Sequence, residues 1–361
     1  MRIFTCQSCG QLLYFENVAC TRCGAALGFR PDELSLAALE AAGEGAWRPA
    51  GEGDDRLYRM CANYCEHAVC NWLVQAHDED AFCLACRLNR TIPDLGAPGN
   101  KALWRKLEIE KRRLVYALLR LGLPVRSKGL DPAGLSFDFL ADPDPRFSER
   151  GRVLTGHAEG LITLNIAEAD PVMRERMRSE MDEPYRTVLG HFRHESGHYY
   201  WDRLVGDGRE LDGFRALFGD ETQDYGQALE RHHEQGPPPD WGERFVSAYA
   251  SGHPWEDWAE TWAHYLHIVD TLETAEQFGL RIRPRAGAEA IAAAPDFDPY
   301  AQPDFERLIE HWLPLTFALN SLNRSMGQEH VYPFVLSPTV IEKLAFVHRV
   351  VRGASGEEAS A

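Results

Sequence analysis

Residues 191–201 read HFRHESGHYYW, and within them His194, Glu195 and His198 form an HExxH pattern. At 3.6 residues per turn the two histidines lie one above the other on a helix. Both imidazoles can then hold one zinc ion while Glu195, beside them, reaches a metal-bound water. The chemistry implied is hydrolysis, with an activated water as nucleophile and a carboxylate to take its proton. Such a short pattern recurs by chance, so helical context and a third ligand must decide. Asp182, Glu183 and Pro184 supply an N-cap and an early-turn proline. Tyr185, Val188, Leu189, Phe192 and Tyr199 then recur at helical spacing until Gly206 can end the helix. His191, His194, Glu195 and His198 interrupt that stripe, and a merely solvated face would favour Lys, Glu and Arg over paired histidines.

A third ligand is expected from a second helix, and residues 254–269, PWEDWAETWAHYLHIV, offer one. Pro254 can start it, and Trp255, Trp258, Ala259, Trp262, Tyr265, Leu266 and Val269 form an apolar stripe. Glu256, Glu260, His264 and His267 form a separate polar line. Two carboxylates four residues apart suit a division of labour, one on the metal and the other on the free N–H of a ligating histidine. Asp257 points about 100° away from Glu256 and is the weaker candidate.

An HExxH followed tens of residues later by Glu-x-x-x-(Asp/Glu) resembles the gluzincin metallopeptidases. The resemblance implies Glu256 as the zinc ligand and Glu260 as the acid that orients His194. The stretch YASGHPWEDWAE, from Tyr249 to Glu260, is also similar to the matching segment of the anthrax lethal factor-like peptidases, where a tyrosine precedes the ligand glutamate by the same interval. That likeness implies Tyr249 as the oxyanion donor.

The cysteines add a second chemistry. Cys6-x-x-Cys9 and Cys20-x-x-Cys23 form two knuckles with the spacing of a zinc ribbon. Cys61, Cys70, Cys83 and Cys86 resemble the half-site of a longer ribbon, with Cys65 and His67 as alternatives to Cys61 or Cys70. Taken whole, the chain resembles bacterial zinc-ribbon proteins that carry a zinc-binding metallopeptidase domain. The zinc complement expected is one catalytic ion and one or two structural ones. The opening MRIFTCQSCG shows no secretory signal, so thiolates in a reducing cytoplasm fit better than disulfides.

These sites set the expected organisation: a zinc-ribbon region over 1–95 with knuckles at 6–23 and 61–86, a zincin-like domain over 100–352, and a disordered tail over 353–361. The fold class is α+β, a mostly helical domain with a small sheet. Residues 31–56 read as a short helix and linker; Leu135–Leu140, Arg152–Gly156 and Leu161–Ile166 read as short strands, the last a candidate peptide-binding edge. Thr222–Glu234, Phe305–Leu319 and Pro338–Val351 read as helices, with His232 and His233 on the surface. Residues 101–128 hold nine Lys and Arg against Glu108 and Glu110 and read as an amphipathic helix. Leu103, Leu107, Leu114, Leu118 and Leu121 form its buried side and the basic residues its solvated face.

At 361 residues and 44% hydrophobic content the chain can bury a sizeable core, and no apolar run is long enough to span a membrane. A net charge of −17 argues against a general affinity for nucleic acid. A peptide or protein substrate is expected, with a protein partner for the ribbons. The rival reading keeps the metal sites without catalysis, making the chain a zinc-ribbon adaptor or scaffold with an inactive zincin domain; an intact Glu195 counts against it.

Overall fold

The computed structural model describes residues 1–51, 56–142, 153, 155–180, 187–206, 208–286 and 291–358. It has the expected α+β composition, and the chain divides into two compact units. The first comprises 1–120 and 124–176, the second 121–123 and 177–361.

In the first unit, β1 (Phe4–Thr5) and β2 (Leu12–Leu13) pair as a small antiparallel ribbon. They are followed by a five-stranded antiparallel sheet of β3 (Ala26–Arg30), β4 (Ser35–Ala41), β5 (Ala46–Pro49), β6 (Tyr58–Met60) and β7 (Leu73–Gln75). The helix expected within 31–56 is thus a correction, since β4 and β5 occupy that stretch. Leu36, Ala37, Ala38 and Leu39 are all buried, and Ala37 and Leu39 pack with Tyr58 and Leu73. Sheet burial overrides the helix propensity of the alanines. The short α1 (Ala62–His67) lies between β6 and β7.

The second sheet runs β10 (Gly156–Ala158), β11 (Leu161–Asn165), β9 (Ser136–Leu140) and β8 (Asn89–Thr91). The strand expected as a peptide-binding edge is therefore interior. β11 is hydrogen-bonded to β10 on one side and β9 on the other, so its ladder has no room for an added strand.

Helix α2 (Asn100–Arg120) also departs from expectation. Its apolar side is buried, with Leu107, Leu114 and Leu118 inaccessible to solvent, but Lys111 and Arg112 are buried too. The cause is Glu108, one turn earlier, which receives Lys111 Nζ at 2.9 Å and Asn89 Nδ2 at 2.8 Å. Arg112 lies 3.7 Å from the same carboxylate and donates to the Val69 carbonyl at 2.7 Å. An acid followed by bases at i+3 and i+4 can close on itself and enter the core as a compensated group. α3 (Pro171–Glu180) carries the chain out of this unit.

The second unit is helical: α4 (Val188–Leu204), α5 (Leu211–Phe218), α6 (Tyr225–Gln235), α7 (Trp241–Arg244), α8 (Pro254–Gln277), α9 (Phe305–Ser325) and α10 (Pro338–Glu358). The start expected at Asp182 and Pro184 lies outside the described residues; α4 is capped instead by Thr187, whose hydroxyl accepts from the Gly190 amide at 2.9 Å. The segment expected as a tail after 352 continues α10 as far as Glu358. No helix among the described residues is long and apolar enough to cross a membrane.

α4 and α8 form the centre of this unit. The two residues inside the HExxH make the contact: Trp258 Nε1 donates to the Gly197 carbonyl at 2.8 Å and Trp262 Nε1 to Ser196 Oγ at 3.2 Å. A Cβ at Gly197 would sit 2.9 Å from the Ala259 Cα and 3.2 Å from Trp262 Cβ, so only glycine lets the backbones approach this closely. Gly197→Ala should therefore separate the helices and cost roughly 1–3 kcal/mol, as overpacking does. Chemical denaturation of the metal-free protein checks this; a midpoint equal to the wild type would show that the contact is not tight.

Candidate active site and metal centres

The pairing of α4 with α8 brings three donor groups together. His194 Nε2 and His198 Nε2 are 3.2 Å apart, His194 Nε2 is 3.0 Å from Glu256 Oε2, and His198 Nε2 is 3.5 Å from Glu256 Oε1. Zinc bonds of about 2.0–2.1 Å in tetrahedral geometry require donors roughly 3.3–3.4 Å apart, close to all three separations. Glu256 is buried, and among the described residues its Oε2 makes no hydrogen bond. A buried carboxylate oxygen in that state suits a cation.

The electrostatics agree. Burial opposes charge on His194, but the carboxylates of Glu256 and Glu260 outweigh it and hold its pKa well above the usual histidine range. Burial would likewise raise Glu256, yet His198 and His194 bring it well below the usual carboxylate range. His194 so placed between two carboxylates favours positive charge, whether a proton or a metal supplies it.

Surrounding groups fix the orientation of these donors. Glu260 Oε1 lies 2.8 Å from His194 Nδ1, and its other oxygen accepts from Ser247 Oγ at 2.6 Å. This places a proton on Nδ1 and turns the Nε2 lone pair toward Glu256 and His198. Burial would raise Glu260, but His194 brings it down to about 2. The indole of Trp255 packs over the His198 ring, with centroids 3.9 Å apart. Glu195 is nearly buried, beside His194 on α4 and outside the donor set.

Tyr249 stands in a one-turn 3-10 helix, Tyr249–Gly252, immediately before α8, its ring 5.9 Å from that of His194. Burial, then the field of Glu256, holds its phenol well above the usual range, so it remains a protonated donor.

The remaining expectations divide. Asp257 is turned away onto Lys343 Nζ at 2.6 Å. His264 is paired with the Tyr332 hydroxyl at 2.7 Å, and burial holds its pKa down to about 4. His267 lies 2.5 Å from Arg193, so neither histidine joins the donor set. His233 is exposed, whereas His232 lies beside Tyr249, its ring centroid 6.3 Å away, closer to the site than a surface role implied. Tyr225 was not anticipated at all. Its hydroxyl donates to Glu256 Oε1 at 2.6 Å, from a position that no motif spacing marks.

The thiols form two further groups, Cys6, Cys9, Cys20 and Cys23, and Cys61, Cys70, Cys83 and Cys86. In the first, Cys6 and Cys23 sulfurs are 3.7 Å apart and Cys9 and Cys20 3.6 Å; in the second, Cys70 and Cys83 are 3.7 Å apart. Zinc–thiolate bonds of about 2.3 Å imply a tetrahedral edge of roughly 3.8 Å. The first site is built on paired turns in which Gly10 and Gly24 adopt φ of +75° and +76° and donate to the carbonyls of Cys6 and Cys20. Burial, and then the neighbouring thiol of Cys61, pushes the Cys83 thiol well up. Cys65 is exposed and, like His67, outside the group, so the two alternatives named for this site drop out.

Comparison with known proteins gives a family match on each side of residues 98–99. A zinc-ribbon domain family matches residues 3–97, and a family described as "Putative zinc-binding metallo-peptidase" matches residues 100–350. An uncharacterized protein of Mycobacterium bovis and two of Mycobacterium tuberculosis are each 45% identical over 353 residues, 97% of this chain and 95% of theirs. No solved structure matches.

Two measurements test the donor sets. Reduced protein saturated with zinc should hold three ions per chain by elemental analysis, one for each donor group. Cys6→Ser should release one of them and spare the histidine site; retention of all three would exclude the first thiol group as a ligand set. Separately, Glu256→Gln should abolish tight binding at the histidine site, whereas Glu260→Gln should weaken it about 10–100-fold, as loss of an orienting partner does. The reverse order of sensitivity would exchange their roles.

Proposed function

The chain belongs to the zinc-binding metallopeptidase family, with a zinc-ribbon domain ahead of the peptidase domain, and from that premise we propose that it hydrolyses peptide bonds with Glu195 as general base. The observation that carries this is the convergence of His194, His198 and Glu256 at the spacing of a tetrahedral zinc site, with Glu195 beside them and free of the donor set. Zinc held there would lower the pKa of a water at its open position toward neutrality and polarise a substrate carbonyl.

Each residue then has a stated task. Glu195 takes the proton of the attacking water and passes it to the departing amine. Tyr249, kept protonated, donates a hydrogen bond to the oxygen on which negative charge develops. Glu260, held by Ser247, keeps the proton of His194 on Nδ1 so that Nε2 stays a donor to the metal. In the first unit the thiol groups act as structural zinc sites, and the ribbon is the place for a protein partner. The substrate is a peptide or protein, and the acidic composition makes basic and neutral sequences the first to screen.

Glu195→Gln should keep its zinc and its fold while turnover falls roughly 10²–10⁴-fold, the usual effect of losing a positioned proton carrier. Tyr249→Phe should lower kcat on the order of 10²–10³-fold with KM little changed, because its bond strengthens only as charge develops. Proteome-wide cleavage profiles of the zinc-loaded wild type and Glu195→Gln provide the assay. If the two profiles are the same, the adaptor reading replaces this one.

A further inference from the structure

Tyr225 is the first residue of α6, which is capped by the Asp224 carboxylate accepting from the Gln227 amide at 2.9 Å. The side chain is held from two directions. Its ring meets His253 edge-on at 5.3 Å and Trp255 at 5.7 Å. His253 in turn fixes the chain ahead of α6: Nδ1 accepts from the Trp255 amide at 3.1 Å, leaving the proton on Nε2, which donates to the Gln223 carbonyl at 3.2 Å. Tyr225 thus reaches inward from the rim, 39% exposed, to the buried Glu256 carboxylate.

We propose that Tyr225 is a positioning residue for the metal site, occupying Oε1 of Glu256, the oxygen 3.5 Å from His198 Nε2, so that Oε2 is the oxygen left to bind a metal ion. Oε1 receives the phenol at 2.6 Å, whereas Oε2 faces His194 Nε2 at 3.0 Å and makes no hydrogen bond among the described residues. A glutamate without that donor can bind a zinc ion through both oxygens, which adds a coordination position and crowds the open one.

This inference rests on the zinc site of the proposed function, and its test separates the two. Zinc affinity is measured by chelator competition on the full chain, with His198→Ala as the reference in which only thiolate-held zinc remains. Tyr225→Phe should weaken the histidine-site zinc about 10–100-fold, as loss of an orienting partner does, and Tyr249→Phe should leave it unchanged. In cobalt-substituted protein, the visible bands of the histidine site should lose intensity in Tyr225→Phe, because absorption falls as coordination number rises. Tyr225→His, which restores a donor, should recover part of the affinity. Wild-type affinity and an unaltered cobalt spectrum in Tyr225→Phe would overturn the role of Tyr225 alone. A wild type that binds no zinc beyond the His198→Ala reference would overturn the site itself.

Discussion

The second unit depends on how closely two helices approach. Gly197 lies against the backbone of Ala259, and that contact sets the distance between the helix bearing His194 and His198 and the helix bearing Glu256. Metal donors tolerate errors of only a few tenths of an ångström, a precision that side-chain packing alone rarely provides. Here it comes from backbone against backbone, locked by two indole N–H groups that bond to Gly197 and Ser196. Ser196 and Gly197 are therefore as constrained as the histidines that flank them, for packing rather than for chemistry. Tyr200 stacked on Trp262 at 5.0 Å extends the same seam one turn further.

Where function is carried by periodic spacing, the sequence is readable. His194, Glu195 and His198 follow helical geometry, and the cysteine pairs follow knuckle geometry, so both are legible in one dimension. Glu256 is legible only by combining a polar line on the second helix with a family likeness. Tyr225 is not legible, because it reaches the site through a fold-dependent approach of α6 and has no partner at a fixed interval. The stretch 31–56 is not legible because alanine-rich sequence favours a helix locally, whereas Leu36 to Leu39 are decided by the sheet on which they pack. Helix α2 and its buried leucines follow the periodicity, and only its basic face departs, at Lys111 and Arg112. Periodicity marks which side is buried, but charge pairing decides whether a lysine can go with it.

That pairing shows how the first unit accommodates charge in its interior. Glu108 answers Lys111 and Arg112, and burial of Arg112 is opposed by the field of Cys70, of Glu108 and of two further thiols. A four-thiolate zinc site carries excess negative charge, so a buried guanidinium nearby lowers the cost of placing it in a core. The same logic runs through the histidine site, where Ser247, Glu260 and His194 alternate donor and acceptor and none of the three is left without a partner.

The burial of α4 bears on the order in which the protein matures. A helix covered on nearly every side has little solvent face of its own and gains its stability from neighbours that come later in the chain. A ribosome delivers the chain from its N-terminus at about 5–20 residues per second, so α4 emerges before the helix that completes it. Until α8 arrives, the two histidines lack both Glu256 and the seam that aligns them. The growing chain thus carries Glu195 for some time without a third donor beside it, and the histidine site is complete only when most of the second unit has been made.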